Sequence, residues 1–348
     1  MTQSLCLVPK ITATGGPAAF QARLIAGAAE LGVEVHHDIH RPDIGAYLVI
    51  GAPLHGFGAL LRAKLTGKKI VHRLNGMNWL HKVRPSGALY GLKADFANQR
   101  IAWFRRFIAT DIVYQSQFCE DHWNEAYGAT PQRSALIYNG VDTAEFSPSA
   151  ETPRPWVKGA PVHILIAEGN LQHGSEVHLQ QALQLANRLE RETQSPTTLT
   201  IVGNVPEDVR RKAEAEAEKA RLSVRPDWKG VLSKPELIRF ERSATFFISV
   251  EPQPACPNAV IEALSVGLPV LGFDTGSLKD IVGNGGIAVD YGADFTRLEA
   301  PDPDALYDGA TRILSQRAEF SRSARETALN RFSLEKMTRD YLDFCELG

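Results

Sequence analysis

The sequence predicts an α/β protein built from two doubly wound parallel sheets, each a Rossmann-like domain, facing a cleft. Three observations carry this reading. Short apolar runs bounded by turn residues alternate with stretches of 3.6-residue period through the whole chain. The connections are short, which for strand–helix alternation means parallel pairing. The length of 348 residues fits two domains better than one, since domains usually hold roughly 100–200 residues.

The elements follow in order. Ser4–Val8 reads as a strand, Pro17–Leu31 as a helix and Val33–His37 as a strand. Pro17 suits a first helical turn, and Gly32 stops the helix after its last periodic residue. Tyr47–Ile50, Lys69–Leu74, Ile112–Gln115 and Ala135–Tyr138 are further short strands. Ser147–Pro161 is the densest proline stretch and reads as a linker. The alternation then restarts with His163–Ala167, a helix over Val177–Arg191 and a strand at Thr198–Val202. Glu207–Leu222, rich in Glu, Lys and Arg, is a solvated helix; Phe246–Val250 and Pro269–Phe273 are strands around a helix. The boundaries expected are 1–148 for the first domain, 149–161 for the linker, 162–331 for the second domain and 332–348 for a terminal helix.

Composition excludes several classes. Apolar residues at 44% and charged residues at 22% are ordinary for a globular chain, which sets aside disorder and fibrous repeats. No run of roughly eighteen apolar residues occurs, so no membrane span is expected. The start MTQSLCLVPKITATGG lacks a basic region followed by an apolar core, and Cys6, Cys119, Cys256 and Cys345 form no C-x-x-C pair. Neither a zinc site nor a disulfide framework is expected, and a reducing cytoplasm fits this pattern.

Charge divides unevenly. Residues 1–148 hold 15 Lys and Arg against 11 Asp and Glu, an excess of four positive charges, and the remainder is correspondingly acidic. From Arg62 to Arg106, eleven basic residues face only Asp95. One reading is a solvated face; the other is a basic patch that meets a phosphorylated acceptor or, peripherally, the anionic inner face of a membrane. Between Ala94 and Ile108, the residues Ala97, Ile101, Phe104 and Ile108 share one helical face with Arg100, Arg105 and Arg106 beside it. An interfacial helix shows this pattern, and so does a helix buried on one side. Nothing suggests nucleic acid as a partner.

In doubly wound sheets ligands gather at the carboxyl ends of strands, where backbone N–H groups and helix N-termini point outward. The loop after the first strand holds Gly15 and Gly16 before a helix; paired glycines allow close backbone approach, and a tight turn explains them equally. It is not G-x-G-x-x-G. Arg73 and Asn75 close another strand, and Asn139-Gly140-Val141-Asp142 follows a third. The most informative segment is SVEPQPACPNAVIEALSVGLPVLGFDTGSLKDIV, from Ser249 to Val282. It reads as strand end, proline-rich loop, short helix, Gly267 stop, buried strand and a Thr-Gly turn. Amides near Asn258 and Ala259 in the first turn of the helix suit a diphosphate, and Glu262 one turn deeper suits a ribose diol. Its neighbours Val260, Ile261, Ala263 and Leu264 are apolar, which sets Glu262 apart from an ordinary solvated carboxylate.

At these residues the sequence resembles the family 4 glycosyltransferases of the GT-B fold. The resemblance rests on Asn139–Asp142, Pro257–Leu264 and Gly267–Val270, supported in order and spacing by Gly15-Gly16, Gln115–Phe118, Ile201–Gly203, Trp228–Gly230 and Asp274–Ser277. It covers nearly the whole chain, and Phe332–Phe344 looks like the last helix of the family, which crosses back onto the first domain. It implies retaining transfer of a sugar from a nucleoside-diphosphate sugar to the hydroxyl of a glycan, lipid-linked or small-molecule acceptor, with no metal or cofactor. The donor sits on the second domain and the acceptor on the first. It implies that Glu262 binds the donor ribose, that the amides of Asn258 and Ala259 bind the diphosphate, and that Gly15 and Gly16 approach the donor across the cleft, with Asn139 and Gly276 also lining it.

The chain departs from the family pattern at several points. The acid eight positions before Glu262 is replaced by Pro254, leaving Glu251 as the nearby carboxylate. Asn170 and His173 stand where a phosphate-binding Arg and Lys are usual, so Arg73 or Lys279 would have to supply the charge. Asn75 stands at the strand end where a histidine is common, and Asn75 and Glu251 therefore take the catalytic positions. The alternatives are a sugar-nucleotide-binding relative with weak turnover and a GT-B epimerase or phosphorylase; a dehydrogenase lacks its glycine fingerprint.

Overall fold

The structure is a computed structural model that describes residues 4–12, 15–83, 88–150, 155–171 and 174–348. His173, Arg84 and part of the proline-rich stretch lie outside the described residues. The chain divides into two compact units, Met1–Gly140 with Phe332–Gly348, and Val141–Arg331.

The first unit winds β1 (Ser4–Val8), α1 (Gly16–Glu30), β2 (Val35–His36), β3 (Ile44–Ile50), α2 (Phe57–Leu65), β4 (Lys69–Leu74), α3 (Ala88–Phe107), β5 (Asp111–Tyr114), α4 (Gln117–Tyr127) and β6 (Arg133–Leu136). Its six strands lie in the order β2-β1-β3-β4-β5-β6 and pair in parallel throughout. β1 is buried along its whole length, which is why it reads as a continuous apolar run rather than an alternation. One core packs Phe20 and Leu24 of α1 against Leu5, Leu48 and Val71; the other sets Phe104 and Ile108 of α3 against Val49 and Ile70.

The second unit holds β7 (Val162–Asn170), α5 (Glu176–Thr193), β8 (Thr197–Asn204), α6 (Glu207–Lys219), β9 (Pro226–Gly230), α7 (Lys234–Ser243), β10 (Phe246–Ile248), α8 (Asn258–Ser265), β11 (Val270–Phe273), α9 (Leu278–Val282), β12 (Gly286–Val289), α10 (Pro303–Ser315) and α11 (Arg317–Arg331). Its strands run in the order β12-β11-β10-β7-β8-β9, again all parallel. The chain then returns to the first unit with α12 (Leu334–Phe344), whose Tyr341 meets the Phe20 ring at 5.1 Å between centroids. Gly140 makes that docking possible: a Cβ there would stand 2.8 Å from Met337 Cβ and 2.9 Å from the Ser333 carbonyl oxygen.

The passage between units differs from the expected linker. It falls at Gly140–Val141, ahead of residues 149–161. The reason is packing: Val141 and Phe146 are buried, the Phe146 carbonyl accepts from Ser265 Oγ and Arg325, and the Thr143 carbonyl accepts from Arg325 as well. Trp156, inside the proline-rich stretch, packs on the core of the second unit. Proline density marks a break in the strand–helix alternation, and the described residues on either side of 151–154 belong to the second unit.

Candidate active site

The carboxyl edge of the second sheet gathers acids. β7 and β10 are paired neighbours, with Phe247 beside Leu165, so their ends bring Glu168 and Glu251 together. Glu168 lies at an irregularity in β7 where the register with β8 shifts between Ala167 and Asn170. Gly203 of β8 permits it: its φ is +126°, and a Cβ there would fall 1.6 Å from the Glu168 carbonyl oxygen. Glu262 comes in on α8, whose other middle residues Val260, Ile261, Ala263 and Leu264 are buried, leaving the carboxylate half-buried on the remaining face.

Electrostatics tie these groups together. Burial, and then the charges of Glu251 and Glu262, push the Glu168 carboxyl well above its ordinary range. Burial pushes Glu251 up to about 7. A fourth acid, Glu241 on α7, is 1% exposed and also raised, by burial first and by Glu262 second, with Arg242 opposing. Oε1 of Glu168 and both carboxyl oxygens of Glu241 are buried without hydrogen-bond partners. Burial among like charges thus disfavours ionisation at all three of Glu168, Glu241 and Glu251, so the cluster resists carrying the full negative charge of its composition.

Pro254 is part of the loop's frame. It is buried, its carbonyl accepts from the Ser277 N–H at 2.8 Å, and Gly276, with φ +55°, passes so close that a Cβ would lie 2.5 Å from the Pro254 oxygen. Position 254 is thus a backbone clamp between the loops after β10 and β11, and Gly276 is its other half. Asn170 is exposed and accepts from Asn204 Nδ2 at 3.0 Å, so its oxygen faces the neighbouring strand. Asn258 and Ala259 begin α8 as expected, half-buried, behind an N-cap Pro257. Lys279 is exposed and ion-paired to Asp274 at 2.7 Å. A cavity of about 540 Å³ elsewhere in this unit, lined by Lys279, Arg312, Gln316 and Glu319, shares none of the clustered acids.

The first unit holds a separate polar cluster. Arg73 is 1% exposed and donates to Tyr341 Oη at 3.1 Å, to Asn75 Oδ1, to Gln115 Oε1 at 2.7 Å and to Asn139 Oδ1 at 2.8 Å, while its guanidinium lies 3.8 Å from the Phe20 ring centroid. A cation so enclosed is a structural pin of the unit and does not reach a diphosphate. Asn75 is held by both ends: its Oδ1 accepts from Arg73 and Gln115, and its carbonyl accepts from Trp123 Nε1 at 2.8 Å. With Oδ1 so engaged, what this side chain can offer a ligand is the N–H donors of Nδ2. Asn139 is buried. Gly15 caps α1 with φ +127°, a conformation that favours glycine, with open space on its Cβ side; Gly16 is exposed behind it. His72 is fully buried, its ring 2.6 Å from the Gly51 carbonyl, with its pKa pushed down to about 3 by burial. Among the described residues no group of three or more His, Cys, Asp or Glu is arranged to hold a metal.

The expected residues therefore fall into three sets. Glu251 and Glu262 meet at the second sheet's edge, Arg73, Asn75 and Asn139 meet in the first unit, and Gly276 clamps Pro254. Sequence reasoning missed Glu168 and Glu241. Glu168 had a signal: it is the charged residue that ends the apolar run Ile164–Ala167, directly before Gly169.

Comparison with known proteins places this arrangement. Residues 164–331 match Glycosyl transferases group 1, and residues 40–145 match Glycosyltransferase Family 4. The chain is a family 4 glycosyltransferase of the GT-B fold. A search of curated proteins finds no match. Among solved structures, this glycosyltransferase resembles sucrose-phosphate synthase from Thermosynechococcus elongatus, with TM-score 0.74 and 14% identity over 99% of this chain and 98% of the other. It also resembles HepE from Anabaena in complex with UDP-glucose, with TM-score 0.68 and 12% identity over 99% of each chain. WaaG, a glycosyltransferase involved in lipopolysaccharide biosynthesis, aligns with TM-score 0.64 and 17% identity over 99% of this chain and 100% of the other.

Proposed function

We propose that this glycosyltransferase is a retaining, metal-independent enzyme that moves a sugar from a nucleoside-diphosphate sugar to an acceptor hydroxyl, and that its donor lies at the carboxyl edge of β7, β10 and α8. The observation that carries this is Glu262. It is the one polar side chain in the middle of an otherwise buried α8, a turn beyond the first-turn amides of Asn258 and Ala259. Those amides suit a diphosphate, and a carboxylate one turn deeper accepts both hydrogen bonds of a ribose diol.

The altered surroundings then have a physical reading. A diphosphate brings about two negative charges, and a helix N-terminus offers only about half a positive one. Four ionised glutamates nearby would repel the donor, but burial shifts Glu168, Glu241 and Glu251 toward their neutral forms. A neutral carboxyl at Glu168 or Glu251 donates a hydrogen bond where an ionised one repels, so either can hold a sugar oxygen or the departing diphosphate. Rate then comes from positioning and from meeting charge on the leaving group. The acceptor, a glycan, lipid-linked or small-molecule hydroxyl, is left to the first unit's carboxyl edge, where Gly16, Asn75 and Asn139 follow their strands.

One observation favours a second reading, a donor-binding relative with little turnover: position 254 is a clamp and offers no acid. A single experiment separates the two. With UDP-glucose as the probe, calorimetry of the parent and of Glu262→Ala should differ by about 1–3 kcal/mol, the cost of unpairing a charged hydrogen bond. Unchanged affinity removes Glu262 from the site. Release of UDP with the anomeric configuration of the product kept, read by NMR, marks a retaining enzyme; binding without release marks the relative.

A further inference from the structure

Among the described residues the two sheets end in β2, β6, β9 and β12. An edge strand presents unpaired N–H and C=O groups to any extended chain, and proteins guard such edges with short strands, charge or proline. Three of the four are guarded. β2 is two residues long. β6 carries Arg133, which pairs with Asp111 at 2.9 Å and donates to the Phe344 carbonyl. β9 reads Pro226-Asp227-Trp228-Lys229-Gly230, with Lys229 paired to Asp227 at 2.9 Å. β12, Gly286-Ile287-Ala288-Val289, has neither charge nor proline.

The register says which groups of β12 are open. The Val289 carbonyl accepts from the Asp274 N–H at 2.7 Å, so Val289 turns its backbone groups toward β11. Backbone direction alternates along a strand; Ile287 therefore does the same, and Ala288 faces the open edge. Helices stand on both faces there. A Cβ on Gly309 of α10 would lie 2.7 Å from Leu271 Cδ1 and 3.0 Å from Val289 Cγ1, while one on Gly272, the next residue of β11, would lie 2.4 Å from Leu278 of α9. β12 is thus recessed, with Gly286 buried and Ile287, Ala288 and Val289 half-buried. Its edge runs along the cavity of about 540 Å³, which has Lys279 of α9 in one wall and Arg312, Glu319 and Phe320 of α10 and α11 in the other. Arg312 is exposed, lies 6.0 Å from the Phe320 ring centroid and forms no ion pair with a described residue, whereas Lys279 is held by Asp274.

We propose that this groove takes an extended peptide segment of another protein, paired to β12 as a further strand of the sheet, with an acidic side chain against Arg312. The N–H and C=O of Ala288 hold the peptide backbone, and the side-chain walls give it a sequence preference. The walls also decide against a second copy: its β12 is recessed between its own α9 and α10, and two recessed edges do not meet. Charge decides the chemistry of the peptide. Arg312 offers a planar fork of donors and has no carboxylate of its own, so a glutamate or aspartate on the peptide completes it. Glu319 sets the opposite sign in the same groove.

The probes are short peptides selected on the full chain from a random library displayed on phage, then synthesised and measured by fluorescence anisotropy. In the free chain the Ala288 N–H should exchange with solvent about a hundredfold faster than those of Ile287 and Val289, and bound peptide should slow it by a similar factor. Ala288→Pro removes that N–H where an edge strand accepts proline, so the chain should keep its melting temperature and bind about tenfold more weakly. Arg312→Glu, an exposed change, should weaken acidic peptides about tenfold. Methylating every second N–H of the peptide should abolish binding in one register and spare it in the other, an arm that needs no protein variant. Val231→Ser, exposed just after β9, should leave binding as it was. Four results overturn the proposal: an Ala288 N–H already protected in the free chain, no peptide enriched, peptides bound equally by Ala288→Pro, or a two-chain mass in light scattering that Ala288→Pro reduces to one.

Discussion

Replacing Glu251 by glutamine should stabilise the protein in a pH-dependent way. In the fold this carboxyl titrates at about 7, against 4.5 ordinarily, because burial disfavours its charged form. Between those two values the folded chain holds a proton that the unfolded chain has released. Stability therefore falls as pH rises through that window, and the full cost is present above about 7 and absent below about 4.5. The difference of about 2.5 pH units corresponds to roughly 3 kcal/mol at about 1.4 kcal/mol per unit. Glutamine has nearly the same shape and no charge. Glu251→Gln should exceed the parent by about 1 kcal/mol or less at pH 5 and by roughly 3 kcal/mol at pH 8, which for a unit of this size is about 5–10 °C in melting temperature. Because Glu168 shares the cluster, Glu168→Gln should move the profile in the same direction. Thermal melts of parent and variant at the two pH values decide the matter. An equal difference at pH 5 and pH 8 would show that the carboxyl is not desolvated among its neighbours, and the proton-sharing argument for the donor site would fall with it.

Two further outcomes follow from the packing. Gly203→Ala sets a Cβ against the Glu168 carbonyl and strains a φ of +126°; it should cost about 2–4 kcal/mol by chemical denaturation and also weaken UDP-glucose binding, since Glu168 must shift. Arg73→Met removes a buried donor from Gln115, Asn75 and Asn139 and should destabilise the first unit by about 3 kcal/mol or more, measured by hydrogen exchange in β4 and α12.

Much of the fold was legible because its evidence is local. Parallel strands buried on both faces leave unbroken apolar runs such as Ile164–Ala167, and helices such as α1 carry Pro17 in their first turn and end before Gly32. Glu262 was legible too, since a lone carboxylate among Val260, Ile261, Ala263 and Leu264 stands out in any reading. What failed depended on tertiary partners. The two faces of α3 are both apolar, so spacing alone could not say which one turns inward; Val49, Ile70 and α2 decide it. Arg73 looked like a free cation because its acceptors, Gln115, Asn139 and Tyr341, are far away in sequence. The passage between units was hidden in the same way, since Arg325, far along the chain, is what fastens Thr143 and Phe146.

The return of α12 has a consequence for how the chain is made. The second unit is one unbroken stretch and has all its residues once Arg331 has left the ribosome, whereas the first unit still lacks Phe332–Gly348. Until Tyr341 arrives, the Phe20 ring and the Arg73 guanidinium have an open side. The half synthesised first is therefore the half completed last, and a nascent chain stalled near its end would carry a finished second unit beside an unfinished first one.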